Sequence, residues 1–478
     1  MRSSALWVIL LLALGACAPA ASTQAATPTP PEHVATPTTI PTHGPASYSR
    51  SMLVSRWDPQ RRTYRLSPVD PATGEAIPGY EPLALGVNFY HRFSPDERKL
   101  AIVAYPYELP SGVILHMLDL QTWKDQSLPL EVTGWNNALA FSPDGSRLAV
   151  TCSYRDSSLL IYDLTQGKIT AQIQPDYDIT ELRFTADGTG LMAYGHQLVE
   201  RFTENEHTAG AARVGLYDAA NLTLRWSAEA TGVRDGIYPT AKGDASAIHQ
   251  PGNGEYVMPG IVWAPDADQL YIVHADEERL TRIDFAQLVV TTLDLQPQLS
   301  WFERFLILGA VPVHAKMASG SSLQAVIAPE GGLIYVAGVR NEVKTLANGD
   351  WELETFPLNL RTIRSSDAAV VFEKQAFASD LRIAPDGKRL FLQGSIDGTV
   401  DGGPGTRVYD ASTHEFTGEY EEIYLEPAQL LDGSRVLVAS TSLPDAGEIT
   451  RMTLYSYDGA EKLGEWDSPT YAAWILNR

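Results

Sequence analysis

A turn string that recurs seven times between apolar segments predicts an all-β fold, a single β-propeller of four-stranded blades. The clearest copy is FSPDGSRLAV at 141–150, in which Ser-Pro-Asp-Gly joins two apolar strands. A second string, an apolar pair that runs into Asp as in LLIYDL at 159–164, supplies a third strand, and a polar turn leads to a fourth. Most units span about 45 to 65 residues, the size of one blade with its loops. The other six turn strings begin at Phe93, Phe184, Trp263, Ile327, Ile383 and Leu430.

The turn string has a local physical basis. Proline presets φ at the first turn position, aspartate hydrogen-bonds the turn backbone, and glycine accepts a positive φ. Glu97 and Ala267 stand where glycine is missing, so we expect those two turns to be less tight. The apolar runs after each turn suit strands that are buried on both faces.

These strings resemble the WD40-like, TolB-type propeller repeat, and residues 270–295 also resemble the YVTN-type surface-protein repeat. The resemblance covers roughly residues 48–478 and implies a propeller fold. It says little about activity, because propellers host many unrelated functions.

The number of blades depends on the two ends of this region. Seven turn strings indicate seven blades, but Met52–Ile77 has the pattern of three strands with no preceding turn string. Tyr471–Leu476 (YAAWIL) has the pattern of one further strand. Together they would form an eighth blade closed by N- and C-terminal strands, which would remove two exposed sheet edges. We favour eight blades over seven, and seven stays open.

The N-terminus has the pattern of an export signal. Arg2 precedes the apolar segment Ala5–Leu14, which is too short to span a membrane. Leu14-Gly15-Ala16-Cys17 resembles the bacterial lipobox, and this resemblance implies cleavage before Cys17 and lipid attachment to its thiol. Ordinary secretion, with cleavage near Ala18–Ala20, is the alternative.

The sequence therefore predicts three parts. Residues 1–16 are a lipoprotein signal peptide, 17–47 are the lipidated Cys17 with an Ala/Thr/Pro-rich disordered stalk, and 48–478 are the propeller. The expected location is extracytoplasmic, anchored by lipid to the bacterial cell membrane or to the outer membrane where one exists. Insertions are expected near 235–260 and 295–320, on one face of the ring.

Charge and cysteine content restrict the partners. The chain has 36 Lys+Arg against 58 Asp+Glu and a formal net charge of -22, which disfavours nucleic acid. We expect a monomer whose membrane contact is the N-terminal lipid. Cys152 is the one other cysteine, so no internal disulfide is possible, and a buried, inert thiol is expected.

Motifs for chemistry are weak throughout the chain. The acidic run Glu419, Glu421, Glu422 and Glu426, interleaved with Tyr420 and Tyr424, fits a half-exposed strand. Asp397–Gly403 lacks the ligand spacing of a calcium loop. We therefore predict no catalytic, cofactor-binding or metal residues. Eight histidines are scattered over the folded region: His91, His116, His196, His207, His249, His274, His314 and His414.

Two functional hypotheses remain. The first is a membrane-anchored binding or scaffolding module for an envelope protein, a peptide or a glycan. The alternative is a propeller enzyme, lactonase-like or glycan-active, with its site at the central channel mouth. Apolar residues around Trp301, Phe302, Phe305 and Leu306 could dock a partner or form an edge of the core.

Overall fold

A computed structural model describes residues 51–474 except 106–112, 131–133, 137, 155–156, 204–205, 240–253, 266–267, 297–317, 346–350, 396–402, 422, 432–433, 444–448, 460 and 470–471. The chain divides into two units, Met1–Thr42 and His43–Arg478, and the described residues belong to the second. Every regular element in them is a β-strand. The predicted signal peptide, Cys17 and the stalk lie outside the described residues. In the part described, no helix has the length and apolarity needed to cross a membrane.

The first sheet consists of two four-stranded halves. The first half is formed by β1 (Met52–Asp58), β2 (Thr63–Val69) and β3 (Leu83–Gly86), with the late strand β35 (Ala472–Trp474) hydrogen-bonded to β1. The second half is formed by β4 (Asn88–Phe93), β5 (Lys99–Tyr105), β6 (Val113–Asp119) and β7 (Lys124–Leu130). A single parallel pair, Gly86 with Tyr105, joins the two halves.

Six further sheets follow along the described chain. The second contains β8 (Gly134–Asn136), β9 (Leu139–Phe141), β10 (Arg147–Tyr154), β11 (Ser158–Asp163) and β12 (Lys168–Ile173). The third contains β13 (Asp178–Phe184), β14 (Gly190–Thr203), β15 (Glu206–Asp218) and β16 (Leu224–Glu229). A short hairpin, β17 (Gly236–Pro239) and β18 (Gly254–Met258), comes next in the chain. The fourth sheet contains β19 (Gly260–Trp263), β20 (Gln269–Val273), β21 (Arg279–Asp284) and β22 (Val289–Asp294).

The fifth sheet combines that hairpin with β23 (Ala318–Ile327), β24 (Leu333–Thr345), β25 (Trp351–Arg364) and β26 (Val370–Lys374). The sixth contains β27 (Ala378–Ile383), β28 (Arg389–Ser395), β29 (Pro404–Asp410) and β30 (Phe416–Glu421). The seventh contains β31 (Tyr424–Gln429), β32 (Arg435–Leu443), β33 (Ile449–Ser456) and β34 (Lys462–Pro469).

The strand order confirms the predicted all-β propeller fold. Each of the seven turn strings joins the first and second strands of a four-stranded antiparallel unit, and the strings that run into Asp end third strands. First strands of successive units also touch: β4 contacts β9, β9 contacts β13, and β19 contacts β23, which in turn contacts β27. Sheets whose first strands gather together in this way are the blades of a propeller.

Buried apolar clusters lie between neighbouring sheets rather than within one sheet. In the described residues, for example, Met192 and Val214 of the third sheet pack with Leu270 of the fourth. One cluster joins Met52 and Val69 of the first half-sheet to Val436 and Leu454 of the seventh sheet. The strands therefore bury both faces, as their continuous apolar runs predicted. The other clusters join the two halves of sheet 1, sheet 1 to 2, 2 to 3, 4 to 5, 5 to 6, and 6 to 7.

The turn strings have the predicted chemistry, with one correction. Gly145 has φ 68° and donates its N–H to Ser142 O at 2.8 Å, while Asp144 Oδ1 accepts the Ser142 hydroxyl at 2.6 Å. The expectation of a looser turn at Glu97 is wrong. Glu97 has φ 57° and donates its N–H to Ser94 O at the same 2.8 Å, because the Ser94–Asp96 hydrogen bonds hold the turn without glycine. Ala267 lies outside the described residues.

The turns of successive sheets also contact one another. A Cβ at Gly145 would lie 3.8 Å from Pro95 of the preceding turn, and one at Gly387 would lie 2.7 Å from Pro329. Glycine and proline in the string therefore meet across neighbouring sheets, which its local turn chemistry did not predict. Arg147 adds a second link, since its guanidinium donates to the carbonyls of Gly188 and Ala219 in the third sheet.

The two ends of the region differ from prediction in one respect. Met52–Ile77 contains two strands rather than three, and the third strand of that half-sheet is Leu83–Gly86. Residues 70–76 instead form hydrogen-bonded turns, with Gly74 at φ 69° and its N–H donating to Asp70 O. Tyr471–Leu476 was predicted as a strand, and its described part, Ala472–Trp474, pairs antiparallel with β1.

Candidate functional site

The two edges of the sheets differ in what they carry. Because neighbouring strands in each unit are antiparallel, the turn strings lie at one edge, whereas second-to-third hairpins and connections between sheets lie at the other. We call this other edge the crossover face. The described part of the predicted insertion near 235–260 lies on a connection between sheets, and therefore on the crossover face. Most of the predicted insertion near 295–320 lies outside the described residues.

Two pairs of strands rise above this face. β14 and β15 have 14 and 13 residues, and β24 and β25 have 13 and 14, whereas β20 and β21 have 5 and 6. Since their other ends are fixed by the turns, the extra residues project beyond the crossover face by about 25 Å. The sequence analysis did not identify these projections.

The insertion near 235–260 forms the hairpin of β17 and β18, and 240–253 lies outside the described residues. β18 pairs in parallel with β23, with Tyr256 opposite Gly320 and Met258 opposite Ser322. Because β23 is the first strand of its blade, the hairpin extends the fifth sheet toward the gathered first strands. Tyr256 is 40% exposed and Met258 is 47% exposed, so β18 presents apolar surface beside the gathered first strands.

Arg234 fastens this hairpin. Its guanidinium lies 2.9 Å from Glu255 of β18 and 3.1 Å from Asp276 of the fourth sheet, and 4.3 Å over the ring of Tyr238 in β17. On the other side, Gly236 has φ 116°, and a Cβ there would lie 2.7 Å from the Cβ of Ala209 in β15. The hairpin is therefore held between the third, fourth and fifth sheets.

Two acidic side chains lie at the same place, between the third and fourth sheets. Glu181 of β13 accepts a hydrogen bond from Trp263 Nε1 at 3.3 Å. Asp235, just before β17, accepts one from the hydroxyl of the fully buried Tyr194 at 3.1 Å. Glu181 lies on a strand of the third sheet, whereas Asp235 precedes β17, a strand of the fifth sheet. The interface between the third and fourth sheets is therefore polar at this point, although it is apolar elsewhere.

Burial governs the protonation of these groups. Burial raises the pKa of Asp235 to about 6. The hydrogen bond from Tyr194 acts to lower this pKa, and the nearby negative charge of Glu181 acts to raise it. Burial also raises the pKa of Glu181, against the Trp263 hydrogen bond and the positive charge of Arg92. A carboxyl group that titrates near neutral pH can accept or donate a proton there.

Most residues considered from the sequence do not join this site. Cys152 is fully buried, as predicted, and burial raises the pKa of its thiol to about 12. The prediction that the acidic run forms one strand is wrong. Glu419 and Glu421 lie on β30, Glu426 lies on β31, the first strand of the next sheet, and Glu422 lies outside the described residues. The chain turns to a new sheet within the run, and alternation of exposed and half-buried residues on β30 is as expected.

The described histidines are spread over the first, third, fourth and sixth sheets. His116 pairs with Asp125 at 2.8 Å, His274 contacts Thr281, and the ring of His414 stacks on Phe372 at 4.4 Å. In the part of the chain with described coordinates, no three His, Cys, Asp or Glu side chains form a group able to hold a metal ion. His249, His314, Asp397–Gly402 and Trp301 to Leu306 lie outside it.

Sequence inspection missed Glu181 and Asp235 because they are far apart in the chain and belong to no motif. One signal was available for Glu181. It lies three residues before Phe184 of its turn string, where the strings at Phe141 and Trp263 have Ala138 and Gly260. This signal does not single out Glu181, because Asp380 stands at the same position before Ile383 and pairs with Arg382.

Comparison with known proteins gives similarity to solved structures alone. No protein-family model matches the chain, and no curated protein matches it. The β-propeller domain of Cps50 (Swd1) from Myceliophteria thermophila is 13% identical, covers 73% of this chain and 91% of its own, and has a TM-score of 0.39. The dihydro-heme d1 dehydrogenase NirN in complex with DHE is 14% identical, with 87% and 81% covered and a TM-score of 0.38. A eukaryotic initiation factor is 12% identical, with 89% and 98% covered and a TM-score of 0.43.

Proposed function

We propose that this chain is an extracytoplasmic binding or scaffolding module whose crossover face receives a protein, a peptide or a glycan. The observation that carries the proposal is the β17–β18 hairpin, which presents exposed Tyr256 and Met258 beside the first strands. Exposed apolar and aromatic side chains on a rigid sheet provide contact area at little cost in conformational entropy. The raised strands β14, β15, β24 and β25 would form the walls of such a site.

The scaffold in this proposal is a ring of eight blades. Each half of the first sheet has four strands and counts as a blade, since among the described residues the strand pairing between the halves is one residue pair, Gly86 with Tyr105. Eight apolar clusters, each between neighbouring blades, support this count, and the cluster of Met52 with Val436 supports closure. The pairing of β35 with β1 supports the C-terminal strand as the first strand of the eighth blade.

The binding proposal is tested by changing the hairpin surface. Tyr256→Ala with Met258→Ser should reduce binding to envelope proteins or glycan fragments at least tenfold, because both side chains leave the surface while Val257 stays buried. Leu224→Ser is the matched control, since Leu224 is 49% exposed at the turn-string edge of β16. Surface plasmon resonance against cell-wall fragments and isolated envelope proteins measures the change. Equal binding by the double variant and the wild type would contradict the proposal.

An enzyme that acts on glycans is the second candidate, and the carboxyl pair favours it. Retaining and inverting glycosidases both use two carboxyl groups, one of them with a raised pKa. In this candidate Asp235 would be the proton donor. Hydrolysis of a glycan substrate that is lost in Asp235→Asn and retained in Tyr256→Ala would favour the enzyme over the binding module.

The location in the proposal is the outer side of a bacterial membrane, with lipid on Cys17. Its support is the sequence Leu14-Gly15-Ala16-Cys17 after a short apolar segment. In cells the wild type should enter the membrane fraction and incorporate labelled palmitate, and Cys17→Ser should do neither, because the serine hydroxyl cannot form the thioether. Cys152→Ser is the control. Membrane association that is the same in Cys17→Ser would rule out the anchor.

A further inference from the structure

A second site lies away from the hairpin, beside the turn between β1 and β2. A cleft of about 400 Å³ opens there, and Arg56, Arg65, Gln60 and Ser67 are among its lining residues. The segment 56–65 contains four arginines and one aspartate, in a chain whose net charge is -22. Of these charged residues Arg56, Arg65 and Asp58 line the cleft, so its lining has one more positive than negative side chain.

The two lining arginines lie side by side. Arg56 on β1 is directly opposite Arg65 on β2, so both side chains leave the same face of the sheet. Directly opposed like charges destabilise a pair of strands unless a counter-charge is present. Asp58 is the nearest carboxylate, 3.9 Å from Arg65, and it also lies 3.6 Å from Arg61 and accepts the N–H groups of Gln60 and Arg61.

Arg56 has no carboxylate within 4.0 Å among the described residues. Its Nη2 donates to the carbonyl of Gly74 at 2.5 Å, whereas its buried Nε has no hydrogen-bond partner in the described part of the chain. Burial without a counter-ion lowers the pKa of this guanidinium.

Two other half-buried arginines are paired with carboxylates, whereas Arg147 donates to backbone carbonyls alone. Arg234 has Glu255 and Asp276 within 3.1 Å, and Arg361 has Glu278 and Glu373 within 3.0 Å. Removing a guanidinium group from water without giving it an anion raises the free energy of the folded protein. An oxyanion that binds there would offset this cost with charge-assisted hydrogen bonds. Arg56 differs from Arg147, Arg234 and Arg361 in having a buried Nε without a hydrogen-bond partner in the described part of the chain.

We propose that this cleft binds a small ligand through one oxyanion group, a carboxylate or a phosphate, held between Arg56 and Arg65. Gln60 and Ser67 line the same cleft and would hydrogen-bond neutral groups of that ligand. Paired guanidinium groups favour planar or multi-oxygen anions, because their N–H groups form parallel hydrogen bonds to two oxygens. The inference does not depend on the hairpin surface described above.

The test is calorimetric titration of the purified full-length chain with inorganic phosphate, glucuronate and glucose. Phosphate or glucuronate should bind and glucose should not, and whichever anion binds more tightly identifies the oxyanion. Arg65→Gln should weaken that binding at least tenfold, and Arg56→Gln should do the same. Arg451→Gln, which removes an exposed arginine paired with Asp467, should leave it unchanged.

Three results would overturn the inference: no binding of either anion, equal binding of glucose, or unchanged affinity in Arg65→Gln. If Arg56→Gln does not fold, Arg65→Gln decides, because Arg65 donates no hydrogen bond within the described structure that the fold would lose. The Tyr256→Ala, Met258→Ser variant should keep full affinity for the anion. Loss of hairpin binding and loss of anion binding are therefore distinguishable.

Discussion

The turns of this protein place the strongest requirements on which amino acid occupies a given position. Aspartates that end third strands accept backbone N–H groups of the turn that follows, as Asp163 does from Thr165 and Gln166. The fifth residue of such a turn is left-handed: Gly167 in the second sheet, but Leu222 and Leu288 in the third and fourth. Because these aspartates form hydrogen bonds with backbone N–H groups of the turns, their abundance reflects folding rather than a repeated active site.

Two adjacent glycines in the turn of the fifth sheet, Gly331 and Gly332, allow a matched comparison of two alanine substitutions. Gly331 has φ 78°, whereas Gly332 has an ordinary φ and no atom within 4 Å of an added Cβ. Gly331→Ala should lower the free energy of unfolding by about 1–2 kcal/mol, because an L-residue is strained in the left-handed region. Gly332→Ala should change it little or raise it by about 0.5 kcal/mol through the unfolded state.

Urea denaturation of both variants measures this difference. Equal destabilisation by the two substitutions would mean that the turn does not have the conformation described here.

At the scale of elements, the hairpin of β17 and β18 is the main departure from regular blades. It is held by a polar set, Arg234 with its two acids and Asp235 with Tyr194, where other sheet junctions use apolar contacts. Polar groups that are buried in this way fix one arrangement when all are paired and become costly when their charge state changes. The attachment of the hairpin should therefore respond to pH.

The titration of Asp235 determines whether the stability of the protein rises or falls with pH. The pKa of Asp235 is raised to about 6, so the folded state holds the proton more tightly than the unfolded chain does. Stability is then full below the unfolded pKa, near 4, and is lost as the pH rises through about 6. At pH 8 the loss is on the order of 3 kcal/mol. Asp235→Asn should therefore be more stable than the wild type at pH 8 and no more stable at pH 4.

Thermal denaturation across pH 4 to 8, with hydrogen exchange of β17 and β18, measures this effect. Asp467→Asn is the control of opposite sign, because Arg451 lowers the pKa of that exposed carboxylate. A wild-type stability that does not fall between pH 5 and 8 relative to Asp235→Asn would contradict the assignment.

At the scale of the whole molecule, the sequence predicted the repeating architecture and missed the departures from it. The turn strings placed the first and second strands of seven units, since proline, aspartate and glycine act locally. The contact between Gly387 and Pro329 of the preceding turn could not be predicted, because it depends on how neighbouring sheets pack. Glu181, Asp235 and the Arg56–Arg65 pair were missed for the same reason: each becomes meaningful only through a partner from another strand.

In the proposed function the scaffold is a ring closed by both ends of the folded chain. In it, β35 completes the first half-sheet, and the seventh sheet packs on Met52 and Val54. Ser55 is directly opposite Ala473 across that junction. A cysteine pair at these positions would thus lie within disulfide distance if the ring is closed as described.

The most direct test is to oxidise Ser55→Cys, Ala473→Cys in the folded protein and compare it with each single variant. The double variant should form an intramolecular disulfide, seen as faster migration on a non-reducing gel, and its Tm should rise above that of the reduced form. No cross-link in the folded double variant beyond that of the single variants would contradict a ring closed by β1 and β35.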